Sequence, residues 1–274
     1  MKILIAGDGW GFKALYDGLK NFYGGLFICS SFAEIRDTDE RVGSVEGCYD
    51  LVICAGYKSI VPREYLEQTR VINIHYSLLP KYRGLHSTVW ALLNDEKKLG
   101  FSIYLMNEYI DDGDILYQYV EENDYQSTST YYMELFNRKV AEVIGSVVGG
   151  YLAGDIEPKV QDKKEATWVG RRAHEHCKID FNVTHGNIKN LFRALVPPYP
   201  LPYIEYDKKQ YEILDYQLHY ANCRTDIGRV LNIDNEGVWI KTKDGYLIVK
   251  KIRDNHHVYE SNKVIRTIGA YLHR

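Results

Sequence analysis

Two stretches of the chain carry side chains whose types suit chemistry at a carbonyl carbon. Asn73 and His75 alternate along the apolar run Val71–Ile74, which predicts a strand with both side chains on one face. About 36 residues later, Ile110–Ile115 holds three carboxylates around Gly113. An amide and a protonated imidazole can donate hydrogen bonds to an oxyanion, and a nearby carboxylate favours the charged imidazole and accepts protons. Such a set suits the attack of an amine on a carbonyl group.

Each of these pieces has an ordinary structural explanation when it stands alone. An Asn-x-His pair at a strand end can be a stabilising hydrogen-bonded pair, and an acidic sequence around glycine is usually a turn. Their combination, with the loop Tyr76–Gly84 (YSLLPKYRG) between them, is far more specific. Ligands bind at the carboxyl ends of parallel strands, where His75 is expected. We therefore take Asn73, His75 and Asp111 as candidate catalytic residues.

Short apolar strands alternate with amphipathic helices in the first half of the chain, and these elements must position the candidate residues. The predicted strands are Lys2–Ala6, Phe27–Cys29, Leu51–Ala55, Val71–Ile74, Phe101–Met106 and its partner Ile115–Val120. Helices are predicted through Phe12–Leu19, Pro62–Gln68 and Ser87–Asn94, with a long one that begins after Ser127–Thr130 and ends at Gly149-Gly150. The alternation predicts an α/β fold with a doubly wound, mostly parallel sheet.

The rest of the chain has a different pattern. The polar stretch Gly154–Glu165 contains Pro158 and predicts a linker, and a helix is expected around Gly186–Leu195. Short β-rich segments then follow at close spacing, separated by turn signals such as Asn235-Glu236-Gly237, which predicts a small β-barrel or open sheet of the OB-like kind. We expect a catalytic domain over residues 1–165, a connecting segment with a helix over 166–200 and a β-rich accessory domain over 201–274.

Composition excludes several classes of protein. The 274 residues carry a net charge of −3, with 34 Lys+Arg against 37 Asp+Glu, so the basic excess of a general nucleic-acid or membrane-surface binder is missing. The five cysteines are scattered and form no CxxC pair, which argues against a disulfide framework and against a structural zinc site. The start of the chain lacks a signal-peptide core, and no run of 18 apolar residues occurs. A cytoplasmic protein that needs no metal is expected.

The segments VINIHYSLLPKYRG (71–84) and IDDGDILYQ (110–118) resemble the formyltransferases that take a formyl group from N10-formyltetrahydrofolate. The segment LVICAGYKSIVPREYL (51–66) is similar to the part of that family that helps line the folate site. The resemblance implies a Rossmann-like core, N10-formyltetrahydrofolate as co-substrate and a catalytic trio of Asn73, His75 and Asp111. The family often has proline after the histidine, whereas this chain has Tyr76.

The resemblance also implies roles for individual residues. Asn73 would orient and polarise the formyl oxygen, His75 would stabilise the oxyanion and protonate the leaving nitrogen, and Asp111 would tune His75 and transfer a proton. The residues expected beside the folate are Lys58, Ile60, Val61, Pro62, Asp112 and Asp114. The residues expected to contact the acceptor, with cations among them for phosphate, are Tyr76, Ser77, Lys81, Arg83, Gly84, Arg171 and Arg172.

Three later segments bear on the acceptor. TWVGRR (167–172), KIDF (178–181) and LFRALVPPYP (191–200) resemble the amino-sugar formyltransferases, notably the enzyme that acts on UDP-4-amino-arabinose. This implies transfer to the 3- or 4-amine of a dTDP- or UDP-linked amino-dideoxy sugar, for lipopolysaccharide or another surface glycan. Two alternatives stay open: a methionyl-tRNA formyltransferase and a non-catalytic folate- or nucleotide-binding module. The expected partners are small molecules rather than nucleic acid or membrane, and a two-fold homodimer is the default for a soluble enzyme.

Overall fold

The computed structural model describes residues 3–7, 9–23, 27–29, 49–57 and 61–272, which form two compact units. The first unit contains the described residues up to Ala91 together with Lys97–Asp124 and Tyr131–Arg171. The second contains Leu92–Glu96, Tyr125–Thr130 and the described residues from Arg172 onward. Within the described ranges, no helix is long and apolar enough to cross a membrane.

A six-stranded sheet is the centre of the first unit. Its strands are β1 (Ile3–Gly7), β2 (Phe27–Cys29), β3 (Leu51–Ala55), β4 (Arg70–His75), β6 (Lys98–Leu105) and β7 (Ile115–Glu122), in the order β2-β1-β3-β4-β6-β7. The first four in this order are parallel, whereas β6 is antiparallel to both β4 and β7. Every residue of β3 is buried, as its uninterrupted apolar sequence requires of a strand covered on both faces. The predicted α/β fold with a mostly parallel sheet is confirmed.

A second, two-stranded ribbon in the first unit pairs β5 (Arg83–Gly84) with β8 (Trp168–Val169) in parallel. The ribbon attaches the loop after β4 to a segment far along the chain. Gly84 permits the pairing because its φ is +105° and a Cβ at that position would lie 2.2 Å from the Val169 carbonyl oxygen. The sequence patterns did not predict this ribbon, since two residues are too few to show a strand period.

The helices are α1 (Gly9–Tyr23), α2 (Arg63–Gln68), α3 (Ser87–Leu93), α4 (Ser129–Ala153), α5 (His185–Ala194) and α6 (Ser261–Val264). The prediction that the long helix ends at Gly149-Gly150 is wrong, because α4 continues to Ala153 and stops at Gly154, whose φ is +84°. Val147 and Val148 are buried on its last turns. Their burial offsets the roughly 1 kcal/mol that each helical glycine costs.

The segment that follows α4 is not a free linker, contrary to the prediction for 154–165. Lys159 and Ile115 exchange two backbone hydrogen bonds of 2.8 Å, so the segment lies along the first residue of β7. A 3-10 turn over Lys163–Glu165 follows, capped by the side chain of Asp162. The segment is polar, as a linker would be, but its backbone is hydrogen-bonded to the first unit. Gln161, which lies between Lys159 and the 3-10 turn, is buried.

An antiparallel sheet is the centre of the second unit. Its strands are β9 (Tyr203–Tyr206), β10 (Lys209–Tyr220), β11 (Val230–Ile233), β12 (Val238–Lys241), β13 (Gly245–Arg253) and β14 (Val258–Glu260). The order is β11-β12-β13-β10-β9, with β14 paired to β13. Alternate residues such as Val238, Ile240 and Leu247 form its buried core. The predicted β-rich C-terminal fold is confirmed.

Candidate active site

The end of β4 and the loop before β7 bring the three candidate catalytic residues together. His75 is the last residue of β4 and is buried, and its Nδ1 lies 3.4 Å from Asp111 Oδ2. Its Nε2 lies 2.7 Å from the carbonyl oxygen of Tyr82. Both neighbours of the ring are acceptors that belong to the protein. An N–H of His75 can therefore reach the oxygen of a bound molecule only after it leaves one of these two contacts.

Asp111 receives hydrogen bonds on both of its carboxylate oxygens. The Tyr104 hydroxyl donates to Oδ1 at 2.7 Å, and the Gly84 backbone N–H donates to Oδ2 at 2.7 Å. The residue itself has a φ of +51°, a left-handed conformation that aspartate tolerates better than most residues. Two residues on, a Cβ on Gly113 would lie 1.6 Å from the Leu105 carbonyl oxygen, so only glycine allows the loop to pass β6 at this distance.

Asn73 joins the site through Tyr104, a residue that the sequence analysis did not single out. Asn73 and Tyr104 are cross-strand partners on β4 and β6, and the Asn73 Nδ2 donates to the Tyr104 hydroxyl at 3.0 Å. Burial, and then the charge of Asp111, raises the pKa of Tyr104 well above its usual value, so the phenol stays a donor. The Asn73 Oδ1 is buried and has no hydrogen-bond partner among the described residues. That oxygen remains available to a donor on a bound molecule.

The loop that carries Asp111 is held by two buried side chains from distant parts of the chain. The Gln161 Nε2 donates to the carbonyl oxygens of Asp111 and Gly113, at 2.9 and 2.7 Å. Its Oε1 accepts from Arg83 Nη2 at 2.7 Å, and Arg83 Nη1 pairs with Asp112 Oδ1 at 2.6 Å. We call this set of Arg83, Asp112 and Gln161 the loop clamp. No sequence motif pointed to Gln161, because it lies in a segment that reads as linker.

Two members of the loop clamp, Arg83 and Asp112, were predicted to contact the acceptor and the folate, and both have partners inside the protein. Arg83 is only 4% exposed and its guanidinium is used by Asp112 and Gln161, with the Trp168 ring 5.5 Å away. Asp112 also lies 3.5 Å from Lys163 Nζ. Their observed contacts support the loop that carries Asp111. Contact of Arg83 with the acceptor and of Asp112 with folate stay predictions.

Three other residues predicted to contact the acceptor have hydrogen-bond partners within the protein. The Tyr76 hydroxyl donates to Asn137 Oδ1 at 2.6 Å, and burial raises the pKa of this phenol. The Ser77 hydroxyl donates to the Lys81 carbonyl at 2.7 Å, while the Lys81 side chain is exposed. Gly84 supplies the N–H bonded to Asp111.

The remaining predicted residues are spread over the described and undescribed parts of the chain. Lys58 and Ile60 lie outside the described residues. Val61 packs on an apolar cluster under β3 and β4, and Pro62 precedes α2. Asp114 accepts a backbone hydrogen bond from Leu105.

Two arginines close the set of predicted residues. Arg171 is exposed in the first unit, and Arg172 belongs to the second, where its Nη2 donates to the His176 carbonyl. Burial lowers the pKa of Arg172 from its ordinary value.

Within the part of the chain that the structure describes, no three potential ligands from His, Cys, Asp and Glu gather as a metal site would require.

Comparison with known proteins shows which family the sequence of this chain matches. The formyl transferase family matches residues 38–148, and the formyl transferase C-terminal domain matches residues 172–264. Among curated relatives, the methionyl-tRNA formyltransferase of Clostridium novyi is 31% identical over 207 residues, 74% of this chain and 66% of the relative. The chain therefore spans just under two thirds of that relative. The corresponding protein of Clostridium tetani is 31% identical over 228 residues, 80% of this chain and 72% of the relative.

Solved structures show the same fold. An N-formyltransferase from Helicobacter canadensis, in complex with folinic acid and dTDP-3-aminofucose, matches with a TM-score of 0.67 at 19% identity. The match covers 91% of this chain and 98% of that one. Two successive segments of the chain match formyl transferase models, and the C. tetani relative is a formyltransferase as well. The arrangement of Asn73, His75 and Asp111 is consistent with both findings. The chain belongs to the formyltransferase family.

Proposed function

We propose that this protein transfers a formyl group from N10-formyltetrahydrofolate to the amine of a nucleotide-linked amino-dideoxy sugar. The observation that carries the formyl-transfer part is the joining of Asn73, His75 and Asp111 at one end of β4, with His75 3.4 Å from Asp111. The unpartnered Asn73 Oδ1 fits a bound molecule that brings N–H groups, since a buried acceptor without a donor costs about 1–3 kcal/mol. The folinic acid bound to the Helicobacter canadensis enzyme supports a folate as the donor.

The reaction is an amine attack on a formyl carbon that requires no covalent enzyme intermediate. The amine nitrogen forms a bond to the formyl carbon, and the carbonyl electrons move onto oxygen. The Asn73 amide donates a hydrogen bond to that oxyanion, and His75 does so once its Nε2–H turns from the Tyr82 carbonyl. Such a donor is worth about 10²–10³ in rate in comparable sites. The attacking nitrogen loses a proton to Asp111. The bond to N10 then breaks, N10 takes a proton from His75, and the products are a formamide and tetrahydrofolate.

The acceptor assignment rests on charge and on the structural relatives. Residues 201–274 contain 12 Lys+Arg and 10 Asp+Glu, so this segment has a net charge of only +2, well short of the basic excess that phosphate-rich RNA requires. The dTDP-3-aminofucose bound to the Helicobacter canadensis enzyme is a nucleotide-linked amino sugar of the proposed class. Surface-glycan biosynthesis, a cytoplasmic location and a homodimer belong to this proposal as expectations.

A second candidate, formylation of methionyl-tRNA, has its own support. The curated relatives from Clostridium novyi and Clostridium tetani are methionyl-tRNA formyltransferases at 31% identity. The two acceptors differ in their dependence on salt. An RNA bound through several phosphates loses affinity steeply as salt rises, whereas a single nucleotide sugar does so weakly.

One assay separates the two. Purified protein is incubated with N10-formyltetrahydrofolate and, in parallel, with dTDP- and UDP-linked 3- and 4-amino sugars or with methionyl-tRNA. Formylated product is followed by mass spectrometry and tetrahydrofolate by absorbance. We expect turnover of at least one amino sugar, abolished in His75→Ala and retained in His256→Ala, an exposed histidine of the second unit. Turnover of methionyl-tRNA alone would replace the sugar by the second candidate. No formylated product with any acceptor, or only a background that His75→Ala leaves unchanged, would point to a non-catalytic module.

A further inference from the structure

Tyr104 lies between two members of the trio, and we infer that it is a positioning residue that fixes the orientation of the Asn73 amide. The inference rests on the proposed formyl transfer and adds a residue to it. The Tyr104 hydroxyl bonds both Asn73 Nδ2, at 3.0 Å, and Asp111 Oδ1, at 2.7 Å. The side chain is 1% exposed, so water does not compete for either bond.

The direction of this hydrogen-bond chain follows from the chemistry of its ends. An ionised carboxylate only accepts, so the single Tyr104 proton points to Asp111. The phenol oxygen then has only lone pairs left for Asn73. The atom that Asn73 turns towards it must therefore be the donor Nδ2, and the carbonyl Oδ1 must turn away. Because the two ends of an asparagine amide have the same shape, packing alone would not select between them.

The selected orientation determines what Asn73 offers to the reaction. Its Oδ1 is buried and lacks a partner among the described residues, and its second Nδ2 hydrogen is not used by Tyr104. One oxygen acceptor and one N–H donor are thus left for bound reactants. The amine nucleophile carries N–H groups and the formyl oxygen is an acceptor, so the two remaining positions match the two reacting groups. A reversed amide would present Nδ2 to the amine and an oxygen to the developing oxyanion.

The phenol keeps its proton under the conditions of the reaction. Burial and the neighbouring Asp111 charge raise the Tyr104 pKa, which excludes a phenolate that would accept from both sides. A Cβ built on Gly113 would lie 3.3 Å from the Tyr104 ring, so the loop that carries Asp111 passes close beside that ring.

Tyr104→Phe tests the inference because it removes the hydroxyl and keeps the ring. We expect kcat to fall about 10- to 100-fold with KM for both substrates changed less than about twofold, as for a group that acts on the reacting geometry. In an Asn73→Ala background the same change should cost less than about threefold, since there is no amide left to orient. Tyr259→Phe is the matched control, because it deletes a Tyr-to-Asp hydrogen bond in the second unit.

A spectroscopic measurement keeps the test independent of turnover. In ¹H–¹⁵N spectra of the full chain, the Asn73 side-chain NH₂ signals are assigned by their loss in Asn73→Asp. We expect one of the two protons to be protected and shifted downfield in the native protein, and both effects to vanish in Tyr104→Phe but not in Tyr259→Phe.

Together, the kinetic and the NMR measurements distinguish failure of the inference about Tyr104 from failure of the proposed function. A native enzyme that turns over while Tyr104→Phe keeps its kcat within twofold would overturn the role of Tyr104. Unchanged Asn73 signals in Tyr104→Phe would also overturn it. A native enzyme without turnover on any acceptor would instead refute formyl transfer, and the spectra alone would then decide whether Tyr104 orients the amide.

Discussion

Asp111 is the residue on which the contacts of the site converge. A phenol hydroxyl, a backbone N–H and an imidazole all lie against its two oxygens, supplied by Tyr104, Gly84 and His75. Each of these groups is a donor, so the position suits a carboxylate that is charged before the reaction. The loss of that charge on proton uptake changes the contacts of all three donors at once.

Asp111→Asn tests this role with almost no change in shape. The amide cannot take the amine proton, and one of its ends becomes a donor facing other donors, so we expect kcat to fall about 10²–10⁴-fold. Asp207→Asn is the matched control, since Asp207 has a φ of +49° and Asp111 one of +51°. Steady-state kinetics of both variants decide, and a loss in Asp207→Asn of the same size would show that backbone conformation rather than proton transfer is responsible.

The three candidate residues could be picked out from sequence because Asn73 and His75 share one apolar strand and Asp111 lies in an acidic turn around Gly113. Tyr104 could not, since its role depends on the register by which β6 pairs with β4 and places it opposite Asn73. A tyrosine in an apolar strand is otherwise indistinguishable from core. Arg83 was expected to bind phosphate, and only the fold shows the carboxylate that it already contacts.

At the scale of elements, the loop before β7 is the part that must be held. The loop clamp and the β5–β8 ribbon both come from segments remote in sequence. Strand prediction succeeded for the long apolar runs, because strands that are buried in a sheet need apolar side chains along most of their length. It failed for the ribbon and for the stretch after α4, whose conformations are fixed by partners rather than by pattern.

Gln161→Glu tests the clamp. The new carboxylate oxygen would face the carbonyl oxygens of Asp111 and Gly113, both of which now accept from Nε2. We expect the loop to shift and kcat to fall about 10- to 100-fold, because small displacements of reacting groups have effects of that order. Gln210→Glu, at an exposed position of the second unit, should leave kcat unchanged. Full activity of Gln161→Glu would remove the clamp from the mechanism.

Gly113→Ala tests the close approach of the same loop to β6. A Cβ 1.6 Å from the Leu105 carbonyl oxygen forces the backbone apart, and we expect a loss of at least about 2 kcal/mol in the free energy of unfolding. Gly170→Ala is the control, because a Cβ there meets nothing within 4 Å. Urea denaturation measures both, and equal stabilities would contradict the described contact.

For the whole molecule, buried phenols link stability to alkaline pH. Burial raises the pKa of Tyr76 above its ordinary value of about 10, so the native state keeps a proton that the unfolded state loses. The unfolded state then binds fewer protons, and the free energy of unfolding falls as pH rises above about 10, with no contribution from this group below it. Tyr76→Phe should weaken that fall, whereas Tyr220→Phe, at a 77% exposed position, should not. Denaturation curves between pH 8 and pH 11 provide the comparison.

The position of Gln161 in the chain has a consequence for how the protein is made. The ribosome releases Asn73, His75 and Asp111 well before it releases Gln161 and Trp168. A nascent chain of intermediate length therefore carries all three candidate catalytic side chains but neither the amide that holds the loop nor the second strand of the ribbon. We expect catalytic competence to appear late in synthesis, after the trio has already folded onto its sheet.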